Sequence, residues 1–129
     1  MNLYNLQARL TKQLDQSLMV HGISTTEFVV MYQLSLSATE NMRRIDLADK
    51  TGLSASGVTR LLNPMQKIGL VAKEESARDA RVSLVKLTKA GKKILADAEK
   101  TFDASASLFL ASLNEKQRAA LGDTVESLL

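Results

Sequence analysis

The chain has 129 residues, enough for one domain around a single core, and 45% hydrophobic with 24% charged residues is the balance of an ordinary globular protein. Cysteine is absent and His21 is the only histidine, which excludes disulfides and thiol chemistry and leaves a zinc site without its ligand cluster. The net charge of +3 is unevenly spread: residues 41–93 hold twelve Lys/Arg against five Asp/Glu, a surplus of seven, whereas residues 1–40 and 94–129 sum to −1 and −3.

The opening MNLYNLQARLTKQ lacks the continuous apolar stretch of a signal peptide. Apolar runs such as Phe28 to Tyr32 fall far short of the roughly 20 residues that cross a bilayer. A cytoplasmic chain without a membrane partner is expected.

Leu3, Leu6, Leu10, Leu14 and Leu18 recur at spacings of three and four, one apolar stripe along a first helix that Gly22 ends. Ser24-Thr25-Thr26-Glu27 has the form of a capping box, and a second helix through Phe28, Val29, Val30, Met31, Leu34 and Leu36 follows to about Ser37. After a polar loop, Ile45 to Lys50 reads as a short helix with Leu47 and Ala48 inward, closed by Thr51-Gly52. Ser54 then caps a fourth helix whose buried face is Val58, Leu61, Leu62, Met65 and Ile68, with Gly69 at the left-handed C-terminal position. Leu70 to Glu75 and Arg81 to Leu87 read as two strands of a β-hairpin with a charged tip, Ser76 to Ala80. Thr88 caps a long helix striped by Ile94 or Leu95, Ala98, Phe102, Ser105, Phe109 and Leu113, and Asn114 to Gln117 resembles a second capping box before a final helix with Leu121, Val125 and Leu128 facing inward. The expected fold is mainly α with a small β-hairpin wing: one domain over 1–129, its winged helix-turn-helix core at about 24–90 and flanking helices at about 1–21 and 88–129.

Two short helices at a Gly turn, followed by a charged hairpin and coinciding with the basic segment, make a winged helix-turn-helix whose second helix can enter a major groove. Leu47-Ala48, Gly52-Leu53-Ser54, Val58-Thr59-Arg60, Gly69-Leu70-Val71, Asp79-x-Arg81 and Leu87-Thr88-x-x-Gly91 resemble, in order and spacing, the MarR family of bacterial regulators. The hairpin signature is the most specific of these. The resemblance implies a triangular homodimer with the first and the last two helices as its interface. It also implies control of nearby promoters, as repressor or activator, often relieved by a small aromatic or anionic ligand. Pro64 departs from the family pattern; it removes an amide bond to the carbonyl of Arg60 and either tilts the N-terminal half of the helix or is tolerated as a kink.

The expected partner is double-stranded DNA. On the reading helix Ser54, Ala55, Ser56, Thr59, Arg60, Asn63 and Lys67 fall off the apolar face. Ser56 and Thr59, near the N-terminal end, can hydrogen-bond base edges or pack on a thymine methyl. Arg60 is open to guanine, phosphate or a nearby carboxylate, with phosphate favoured. Arg81 suits the electronegative minor groove, Asp79 supports it through a bidentate pair, and Arg78 adds a phosphate contact. An ordinary surface ion pair is the plain alternative for Asp79 and Arg81. His21 reads as a helix-end residue, and Tyr4, Phe28, Met31 and Tyr32 as stripe residues that a ligand cleft could recruit. No glycine-rich phosphate loop, metal cluster or Ser/His/Asp arrangement is legible, so neither an enzyme nor a cofactor is expected. The competing reading is a winged-helix module that binds protein.

Overall fold

The computed structural model describes residues 1–129. Helix α1 spans Asn2–Leu18, and a single 3-10 turn, Met19–His21, leads to Gly22 in the left-handed region at φ 72°. Helix α2, Thr25–Leu36, opens on the capping box read from the sequence: the Ser24 hydroxyl accepts from the Glu27 amide, and the Glu27 carboxylate accepts from the Ser24 amide. Its Phe28, Val30, Met31 and Leu34 are buried at the centre of the molecule.

Strand β1, Asn41–Arg43, runs straight into α3, Arg44–Thr51, where a polar loop was expected. Gly52, at φ 70°, turns the chain into α4, Ala55–Lys67. Ser54 caps α4, accepting from the Gly57 amide at 3.0 Å, and the helix continues unbroken through Pro64. Val58, Leu62 and Met65 fill its buried face. Ile68, expected there too, is 64% exposed, because the helix ends at Lys67 and Gly69 takes the chain away at φ 81°.

Strands β2, Val71–Glu75, and β3, Ser83–Leu87, form the expected hairpin, with Val71 opposite Leu87 and Glu75 opposite Ser83. The wing is nevertheless a three-stranded antiparallel sheet, since β1 pairs with the other edge of β3, Asn41 opposite Lys86 and Arg43 opposite Leu84.

Helix α5, Lys89–Phe109, begins at Thr88, whose hydroxyl donates to the Gly69 carbonyl and accepts from the Gly91 amide. One side chain thus joins the turn after α4 to the start of the longest helix. A polar seam fastens α5 to α1: Gln13 Nε2 donates to the Ser105 carbonyl at 2.9 Å, Ser17 Oγ to Ser105 Oγ at 2.9 Å, and the His21 ring lies 2.7 Å from Thr101 Oγ1. Helix α6, Glu115–Glu126, starts on a complete Asn114–Gln117 capping box but buries no residue. Leu121, Val125 and Leu128, expected to face inward, are exposed, as are Leu3 and Leu6 of α1; Leu14 and Leu18 are the two stripe positions of α1 that reach the core. No helix is long and apolar enough to cross a membrane.

Candidate nucleic-acid interface

The apolar face of α4 anchors it to the core, so the opposite side is fixed in space by Val58, Leu62 and Met65. That side presents Ser54, Ser56, Arg60, Asn63 and Lys67, all exposed, with Thr59 half-buried between them and α3. Ser54 Oγ lies 3.2 Å from Ser56 Oγ, so the cap and the first outward hydroxyl form one polar group at the N-terminal end. None of Arg60, Lys67 and Arg78 has a carboxylate partner within ion-pair distance, because the four ion pairs of the chain are Arg43–Asp46, Arg81–Asp79, Lys86–Glu74 and Lys92–Glu40.

At the wing tip the chain turns through Ser76 to Val82, closed by the Ser76 amide on the Val82 carbonyl at 3.1 Å. Inside that turn Asp79 holds Arg81 by three bonds: Oδ1 accepts from the backbone amide at 3.0 Å and from Nε at 3.1 Å, and Oδ2 accepts from Nη2 at 3.2 Å. The bidentate pair expected from the sequence is present. Arg81 stays 90% exposed despite it. The guanidinium hydrogen bond, and then the amide bond, hold the Asp79 carboxyl below its ordinary value of 3.8.

Sequence reasoning missed Arg44. It opens α3 and reaches α4, where its Nη1 donates to Thr59 Oγ1 at 3.2 Å, while its Nε is buried without an acceptor. The only signal in the sequence is the doublet Arg43-Arg44 just before Leu47-Ala48. The two arginines have separate fates: Arg43 is forked onto Asp46 through Nε at 2.9 Å and Nη2 at 3.1 Å, which lowers the Asp46 carboxyl.

The aromatic residues divide. Phe28 is core, stacked on Phe102 with centroids 4.5 Å apart, and Met31 is fully buried. Tyr32 stands at the edge of that stack, 6.1 Å from Phe28 and 40% exposed. Tyr4 instead lines a cleft of about 750 Å³ between α1 and the start of α2, together with Thr11, Lys12, Asp15, Met19 and Glu27.

A sequence model of the MarR family matches residues 21–82, just under half of the chain, from the end of the 3-10 turn to the far side of the wing tip. Through this region the chain is similar to the MarR family. Similarity extends to the transcriptional repressor MprA of Escherichia coli K12, 25% identical over 91 residues, 70% of this chain and 52% of MprA. YwaE of Bacillus subtilis, an uncharacterised helix-turn-helix regulator, is 23% identical over 121 residues, 93% of this chain and 70% of that one. The chain spans about half the length of MprA. Among solved structures, mutant MarR from Escherichia coli complexed with operator DNA superposes with a TM-score of 0.89 at 20% identity, over 98% of this chain and 90% of that one. AbsC from Streptomyces coelicolor gives 0.87 at 23%, over 98% and 86%. The MarR-type fold therefore extends beyond the matched region into the flanking helices.

Proposed function

We propose that this chain is a sequence-specific, DNA-binding transcriptional regulator that acts as a homodimer on a near-palindromic operator. One observation carries the reading: the exposed side of α4 and the Arg81 wing tip both lie in the segment whose charge surplus is seven, between two acidic flanks. A reading helix in the major groove and a guanidinium at the wing meet the needs of groove recognition and phosphate neutralisation together. Ser54, Ser56, Thr59, Arg60, Asn63 and Lys67 form the helix contribution, and Arg78 and Arg81, with Asp79 behind them, form the wing. Kinship supports the reading, since MprA is a repressor and the mutant MarR structure holds operator DNA.

The unburied stripes of α1 and α6 support the dimer, because apolar rows of that length mark interfaces. The single domain over 1–129 is completed by its partner copy, and a cytoplasmic location follows from the DNA-bound role. The Tyr4 cleft, lined by Lys12 but also by Asp15 and Glu27, suits a small aromatic ligand better than an anionic one.

A salt series of mobility-shift titrations tests the central claim. Log affinity should fall steeply and linearly with log salt on any duplex, and a duplex selected from a random pool should bind more tightly than mixed sequence. Salt-insensitive or absent binding would favour the protein-binding module instead.

A further inference from the structure

Arg44 has a cation's requirements and only part of what satisfies them. A guanidinium carries five N–H donors and no acceptor. Here one donor meets the Thr59 hydroxyl at 3.2 Å, and the Nε donor is shut away from water with nothing to bond. No carboxylate pairs with it, although Arg43 and Arg81 each hold one in a fork. A half-buried charge bonded only to a neutral hydroxyl is under-compensated in the free protein. Nη2 has no bond within the chain and, unlike Nε, is not shut away from solvent, so an anion from outside can partner it.

The position says which anion. Arg44 is the first residue of α3, and its only recorded partner is on α4, so its guanidinium bridges the two helices of the helix-turn-helix beside the exposed row of Ser56, Arg60 and Asn63. We propose that Arg44 is a phosphate anchor for the DNA backbone and that Thr59 is its positioning residue rather than a reader of bases. The inference rests on the DNA-binding reading above. The planar fork suits two oxygens of one phosphate. Thr59 fixes the plane by accepting from Nη1, which leaves Nη2 to donate to the phosphate while Nε stays enclosed. Arg60, one residue along, is exposed and has no recorded bond or ion pair to hold it, so its charge adds attraction without fixed geometry.

The test is a set of salt-dependent titrations of the full chain on the selected duplex and on a mixed-sequence duplex of equal length. Arg44→Gln should weaken binding to both by a similar factor and make the log–log salt slope shallower by about one unit, the signature of one lost phosphate contact. Thr59→Ala should shift the slope in the same direction with the guanidinium still present. Thr59→Ser, which keeps the hydroxyl, should restore wild-type behaviour, and the double variant Arg44→Gln with Thr59→Ala should bind no worse than Arg44→Gln alone. Thermal midpoints check folding; should Arg44→Gln fail to fold, the Thr59 pair still decides. A wild-type slope in Arg44→Gln, or a Thr59→Ala variant that loses preference for the selected duplex at unchanged slope, overturns the proposal while leaving the DNA-binding reading intact. Wild-type chain that binds neither duplex overturns both.

Discussion

At the scale of single residues, the wing tip offers a way for an acidic group to serve the proposed anionic partner. Asp79 lowers the local positive charge, yet its three bonds confine Arg81 to one orientation at the end of an exposed turn. Asp79→Asn should therefore weaken DNA binding several-fold, although simple charge counting says that removing an acid strengthens it. The thermal midpoint should stay put, because Arg81 is almost fully exposed and exposed pairs contribute little stability. Binding titrations check this, and tighter binding by the variant would mean that Arg81 needs no clamp. The sign of the pH effect follows from the lowered Asp79 carboxyl: the pair is intact above the ordinary value of 3.8 and is lost only as pH falls below it. The ratio of wild-type to variant affinity should thus be constant between about pH 6 and 8. Asp79 and Arg81 were legible as a pair because they lie two residues apart in one turn. Arg44 and Thr59 were not, since fifteen residues and the crossing of two helices separate them.

At the scale of elements, caps and glycines were the clearest text. Ser24, Ser54, Thr88 and Asn114 each stand where a helix begins and accept from the expected amide. Such bonds are local, so the sequence carries them whole. Strand β1 was hidden because Asn41-Met42-Arg43 has neither length nor alternation, and becomes a strand only by pairing with β3. Gly91 has a reason that no local pattern reveals. A Cβ there would stand 2.1 Å from the Leu70 carbonyl oxygen, a backbone atom that cannot swing aside. Gly91→Ala should cost on the order of 1 to 3 kcal/mol by forcing α5 away from the Gly69–Leu70 turn. A thermal melt should show it as a loss of several degrees; an unchanged midpoint would mean that the helix start yields freely.

At the scale of the whole molecule, core and surface are unevenly shared. The buried cluster runs from Leu18 to Ala98, while Leu3, Tyr4 and Leu6 at one end and Leu121, Val125 and Leu128 at the other remain uncovered. Light scattering at micromolar concentration should give twice the chain mass, and Val125→Asp should shift the population toward monomer and weaken operator binding through lost bivalency. A wild-type monomer would remove the need for a palindrome. The third strand carries a consequence for how the chain folds. Because residues 41–43 pair with residues 84–86, α3, α4 and β2 lie inside a closed loop of chain whose two ends are hydrogen-bonded to each other. The short-range contacts of α3 with α4 and of β2 with β3 can form within that loop at little entropic cost, whereas the β1–β3 ladder waits for its ends to meet. The helix-turn-helix is thereby expected to form early and β1 to dock late, so that substitutions in β1 should speed unfolding more than they slow folding, which stopped-flow kinetics would show.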